Sequence, residues 1–222
     1  GQFEMPSSDV QFTGRFVIDT ADYKVEHYLQ NADGTWSEEA THSYTNAGIQ
    51  IGKTVYARED IAYPNFKLDL SHTGTVKTGV VAADGSLVLK LYYTRDQHTV
   101  KYEYIGTVPT GAPAVPAEKD YYYNAEVILA PVPTLAGYTF IGWSTDGADV
   151  IIQTKGSDKY IVMPNRDVTI KGTFLAVDNT GYKVEHYVET SAGYELRITT
   201  SHAGTTDTLA TATPESFHGY TH

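Results

Sequence analysis

Residues 23–28 read Tyr-Lys-Val-Glu-His-Tyr, and the same six residues return at 182–187. Each copy follows a second motif, Met-Pro-x-x-Asp-Val-x-x-x-Gly-x-Phe, found at Met5–Phe16 and again at Met163–Phe174. The copies stand 158 residues apart for the second motif (Met5 to Met163) and 159 for the first (Tyr23 to Tyr182). Two different units in fixed order at near-constant spacing mark a repeat array, so the chain is expected to be a window on a longer series of small modules. Such an array favours a surface stalk or adhesin over an enzyme.

Around the hexapeptide, Tyr23, Val25, His27 and Leu29 alternate with Lys24, Glu26, Tyr28 and Gln30, the period of a half-buried strand. Asp33-Gly34 tolerates positive φ and supplies a turn, after which Trp36 opens a returning strand; a hairpin from 23 to about 45 is expected. The segment Gly52–Ala62, halted before Pro64, is the best short-helix candidate of this module. Strands are expected near Phe66–Leu70 and Gly74–Val81, with a turn at Ala83-Asp84-Gly85-Ser86. The run Leu87–Tyr93 suits a central strand.

A second kind of module follows. Thr99–Tyr104 places Val100, Tyr102 and Tyr104 on one face, and the three prolines of Val108–Lys119 make it an ordered loop or hairpin tip rather than a helix. Residues 121–129, 137–143 and 160–163 read as strands, and Asp167–Phe174 as the closing one. Four pieces result: 1–16, the last strand of a truncated preceding module; 23–95; 98–175; and 182–222, an incomplete second copy of the 23–95 module. An incomplete sheet leaves an unpaired edge, so this last piece is expected to be partly disordered or paired with another chain.

Composition narrows the function further. The 222 residues include 18 Tyr and 19 Gly against 2 Met, a β-rich and turn-rich balance. A formal net charge of −11 argues against nucleic acid or an anionic membrane as partner, since both need a basic face. With no cysteine there is neither a disulfide framework nor a cysteine-ligated metal, although secretion stays compatible. No apolar run approaches about 18 residues and no signal peptide is seen, so the window is expected neither to enter a membrane nor to carry its own export signal.

Two family resemblances attach to these motifs. Gly137-Tyr-x-Phe-x-Gly-Trp143, Met163-Pro-x-x-Asp167-Val168 and Gly172-x-Phe174 together resemble the internalin-type B-repeat, also called the Listeria-Bacteroides repeat, over residues 98–175, with 3–16 a truncated second copy. The sequence departs from that family in its proline-rich tip at 108–119, where an Asn-Gly-Gly turn is usual. The modules that begin with Tyr-Lys-Val-Glu-His-Tyr, the first ending in Leu-Tyr-Tyr-Thr-Arg95, resemble companion repeats of Gram-positive surface proteins and, more distantly, mucin-binding-protein repeats. These resemblances imply an α+β, β-dominated fold: tandem small β-grasp, ubiquitin-like modules in an extended array on a secreted, wall-attached protein.

The residues that could carry chemistry have simpler readings. His27 and His186 each follow a glutamate, Glu26 and Glu185, but strand neighbours point to opposite faces and cannot form a dyad. Asp33, Glu38, Glu39 and Asp84 lack the spacing of a Ca²⁺ loop, and turn chemistry accounts for Asp33 and Asp84. Tyr138, Phe140 and Trp143 are expected not to share one face of a strand, and Trp143 is expected in the core. Lys90, Lys101, Asn124 and Glu103 are the ingredients of an intramolecular amide cross-link, as in any lysine-bearing sequence. Trp36, beside a turn and expected to be exposed, is the one candidate for ligand contact. No catalytic residue, metal or cofactor is expected. The expected function is a non-catalytic, extracellular stalk with adhesion to a host protein or mucin-type glycan. The alternatives are a dedicated glycan-binding module or an accessory region of a large secreted hydrolase.

Overall fold

In the computed structural model, which describes all residues except Gly1, Phe3 and Asp60, the repeated hexapeptide forms the middle of a ten-residue strand, β1 (Thr20–Leu29). Its alternation is realised as burial up to His27, with Tyr23, Val25 and His27 buried and Lys24 exposed, but Tyr28 and Gln30, expected on the other face, are buried as well. The chain divides into two units, Gly1–Asp96 and Gln97–His222.

The first unit continues with β2 (His42–Gln50), β3 (Thr54–Tyr56), β4 (Phe66–Leu68), β5 (Thr78–Val80) and β6 (Val88–Arg95). Its main sheet has the order β2-β1-β6-β4, and β3 pairs with β5 in a separate ribbon. The first and last strands are parallel neighbours at the centre, in register from Lys24 opposite Val88 to Leu29 opposite Tyr93. β2 and β4 flank them antiparallel. Leu89 and Leu91 point from β6 into a core shared with Val25, Val55 and Val81, and are fully enclosed. Burying each such side chain stabilises the fold by about 1.5–3 kcal/mol.

The second unit repeats this plan with different strands. β7 (Gln97–Tyr104), β8 (Lys119–Tyr122), β10 (Tyr138–Thr145) and β13 (Val168–Ala176) form a sheet of order β10-β13-β7-β8. Within residues 97–176 the first and last strands, β7 and β13, again run parallel side by side, from Val100 opposite Val168 to Tyr104 opposite Gly172. β9 (Glu126–Ile128), β11 (Gln153–Lys155) and β12 (Asp158–Val162) make a small second sheet, and Val127 and Ile161 from it share a core with Val100, Val168 and Ile170. β14 (Thr180–Thr190) and β15 (Gly193–Gly204) form a long hairpin, with residues 205–222 irregular after it.

The α+β expectation is corrected: among the described residues there is no helix, and the protein is all-β. The segment 52–62, expected to be helical, instead holds β3, although Asp60 of that segment lies outside the described residues. Gly52 takes φ 83° and breaks the path of a helix before it starts. Thr54-Val55-Tyr56 are β-branched and aromatic, and backbone bonds from Gly52 to Val81 and from Ala57 to Lys77 tie both ends of the segment to the β5 strand region. The returning strand also starts later than expected. Trp36 makes only an isolated bridge with Gln30, and β2 begins at His42. The described residues before Thr20 form no strand, with Met5 and Phe16 largely exposed, because alternation yields a strand only where a neighbour supplies the ladder.

Candidate functional site

The side of the β1/β6 pair opposite the core carries a cluster of rings. Tyr28 and Tyr92, opposite each other in register, stack at 4.6 Å and 7°. His72 also stacks on Tyr92, at 3.9 Å, and Trp36 lies 5.0 Å from Tyr92 and 4.8 Å from His72. The loop that brings His72 passes close over Tyr92 at Gly74, where an added Cβ would fall 2.7 Å from the ring. Beside the rings, the Tyr28 hydroxyl donates to Glu26 at 2.8 Å, and Lys90 stands 3.8 Å from the same carboxylate. Burial, reinforced by Glu26, pushes the Tyr28 hydroxyl up to about 12.

Local turns aim this cluster. The Asp33 carboxylate accepts from the Thr35 hydroxyl and backbone N–H, Gly34 adopts φ 86°, and the chain then returns to place Trp36 across from Gln30. Those Thr35 donors hold the Asp33 carboxyl below its ordinary value. Asp69 does the same for the His72 loop through Ser71, and Asp84 caps its own turn through Ser86. Asp33 and Asp84 thus serve separate turns, and Glu38 and Glu39 are exposed near the first. Trp36 is half-buried rather than exposed, because His72 and Tyr92, distant in sequence, pack against it.

On the opposite face, His27 is fully buried. Its Nδ1 lies 3.1 Å from the Tyr63 hydroxyl, and its ring stacks on Tyr93 at 5.5 Å, with His42 and Tyr44 about the rim. Glu26 faces the other way, so the two side chains do not meet. The equivalent His186 is half-buried, with Phe217 at 6.2 Å and the Glu215 N–H at 3.5 Å from its Nδ1.

In the second unit, Tyr138, Phe140 and Trp143 do share one face of β10, contrary to the expectation from the sequence. A bulge between Phe140 and Trp143, where Gly142 takes φ 119°, inserts the residue that restores the phase. Phe140 and Trp143 then lie 4.8 Å apart over Gly172, with Tyr104 and Phe174 completing the row. The Trp143 indole N–H donates to the Ala130 carbonyl at 2.9 Å and the Ala130 N–H donates to Tyr102 at 3.0 Å, so this residue is held through both its carbonyl and its N–H. Met163 is buried and its N–H donates to the Ala125 carbonyl, while Asp167 accepts from the Thr99 N–H at 2.9 Å. Arg166 makes a two-bond contact with Asp149 and a third bond to Asp146.

Residues 98–171 match the family model of the Listeria-Bacteroides repeat domain. No curated protein matches the sequence. The Listeria-Bacteroides repeat is found in bacterial surface proteins, and this segment is similar to it. The geometry gives its sequence marks a structural meaning. The Gly-Tyr-x-Phe-x-Gly-Trp element builds the bulged aromatic row, and Met-Pro-x-x-Asp-Val joins a buried methionine to the cap on β7. The bulge and the hold on Ala130 went unread in the sequence; a glycine between two aromatics of a strand was the available signal.

Of the cross-link ingredients, Lys90 and Glu103 sit in matching places. Lys90 lies 3.8 Å from Glu26 and Lys171 lies 3.8 Å from Glu103, each pair opposite in register across the central parallel strands. At that separation and exposure they are loose ion pairs. Asn124 forms a turn with φ 65°, and Lys101 is exposed.

Proposed function

We propose that the chain is a non-catalytic stalk region of an exported, wall-attached bacterial surface protein, built of β-grasp-type modules in which an irregular segment and a small second sheet replace the helix. The observation that carries this reading is a parallel pair of central strands in each unit, β1 with β6 and β7 with β13. The chain enters at the start of one central strand and leaves at the end of its neighbour, so tension along the chain pulls the two in opposite directions. The rungs between them are loaded together in shear instead of one at a time. That suits a spacer under force, and stretching tests it: gradual lengthening at low force would refute it.

The stalk also carries an adhesive face at Trp36, His72 and Tyr92, where half-buried rings offer apolar surface beside hydroxyl, carboxylate and ammonium groups. The partner class is a mucin-type glycan or a glycosylated host protein, with avidity raised by repetition. Binding of the whole chain to immobilised mucin and a broad glycan array, alongside Trp36→Ala checked for intact folding, tests this face. Saturable binding lost in the variant is the expected result, and equal binding by both proteins would remove the site.

A further inference from the structure

The short link between β13 and β14 is held from two sides. The Val177 N–H donates to the Gly137 carbonyl at 3.0 Å, and the Val177 carbonyl accepts from the Thr206 N–H at 2.9 Å, so one residue joins the start of β10 to the turn that follows β15. The Tyr138 hydroxyl donates to the Asp207 carboxylate, and the hydroxyls of Thr180 and Thr206 share a hydrogen bond. Gly137 has φ 81°, and a Cβ there would fall 2.8 Å from the Thr206 hydroxyl oxygen. The Gly-Tyr-x-Phe-x-Gly-Trp element is therefore divided in its use. Phe140 and Trp143 build the aromatic row, while Gly137 and Tyr138 meet the module that comes next in the chain.

The first hexapeptide module makes the same turn in the same place. There the Ile51 N–H donates to the Asp19 carbonyl at 3.0 Å and Gly52 follows with φ 83°; after β15, Thr206 donates to Val177 and Asp207 follows with φ 58°. The turn is thus a property of the module, present in the longer copy as well. It is also closed on itself, since the Thr208 N–H and hydroxyl both donate to the Thr205 carbonyl. Aspartate in a left-handed position that glycine fills in the other copy is a strained choice, and its carboxylate is the group that reaches Tyr138. We propose that Gly137 and Tyr138 form a docking site for the turn at 205–208 of the following module, with Asp207 as its lock, so that residues 97–176 and the β14/β15 hairpin tumble in solution as one body. The inference is independent of the stalk and adhesion readings, because it requires neither force nor glycan.

Residual dipolar couplings and amide hydrogen exchange of the whole protein test the joint. Couplings from 97–176 and from 180–204 should fit a single alignment tensor. Asp207→Gly keeps the left-handed turn and deletes the carboxylate, and Tyr138→Phe deletes the donor alone; neither touches the buried residues of the second unit's core. In both variants the Val177 N–H, which crosses the joint, should exchange at least tenfold faster, while the Thr206 N–H, bonded within its own module, keeps its rate, and the couplings should need two tensors. Two tensors in the parent protein would overturn the proposal, as would a Val177 rate unchanged in either variant. Equal acceleration at Thr206 would show that the turn itself had come apart, and would overturn the role of Asp207 as lock.

Discussion

Phe140 and Trp143 stand three residues apart on one strand, yet their rings pack 4.8 Å from each other on the same face. The arrangement rests on two glycines for two reasons. Gly142 has open space around it and φ 119°, so a side chain there costs backbone strain alone. Gly172 lies directly beneath the rings, where a Cβ would come within 2.3 Å of Phe140 and 2.7 Å of Trp143. Gly142→Ala should cost about 1–3 kcal/mol through strain, and Gly172→Ala about 1–3 kcal/mol through overpacking. Thermal melting read by Trp143 fluorescence in a Trp36→Phe background separates them: Gly172→Ala moves the native emission and Gly142→Ala mainly the midpoint. Melting curves identical to the parent would contradict the bulge account.

The two copies of the hexapeptide histidine should differ in weight. His27→Ala empties a closed site and strands the Tyr63 hydroxyl, a loss of about 2–4 kcal/mol. His186→Ala removes a half-buried ring and should cost less than about 1 kcal/mol. Chemical denaturation of both variants checks this, and equal losses would show that their surroundings are not as described.

Acid should weaken the second unit through Asp146 and Asp149. Arg166 holds the Asp149 carboxyl below its ordinary 3.8. Burial opposes ionisation of Asp146, but the Thr169 N–H and Arg166 outweigh it and hold that carboxyl low too. Folded values below the unfolded value mean that the stabilisation is present above pH about 4 and fades as pH falls through the folded values. Arg166→Met should therefore move the acid-unfolding midpoint of this unit upward and raise both carboxyl titrations, readable by NMR of the side-chain carboxyl carbons. Unmoved carboxyl titrations would place the Arg166 contacts outside the native state.

How much of this was legible in the sequence follows from how far apart the partners lie. The β1 alternation and the central place of Leu87–Tyr93 were legible because period and residue type act locally. Gly52–Ala62 was misread as helix because Val55 is fixed by Gly79, a partner distant in sequence. Trp36 was expected in solvent because nothing near it in sequence reveals Tyr92 and His72. The shared face of Phe140 and Trp143 was missed because one inserted residue reverses every later side chain, and the period-two reading has no place for it.

The most direct test of the stalk account is mechanical, and the absence of cysteine permits it. Handles at Thr20→Cys and Gln97→Cys load β1 against β6 in shear; handles at Thr20→Cys and Gln50→Cys, register partners at one end of the β1/β2 hairpin, unzip the same sheet rung by rung. The account predicts that the first geometry breaks in one step, releasing roughly 250 Å of chain, at a force well above that of the second. Equal forces in the two geometries would contradict it.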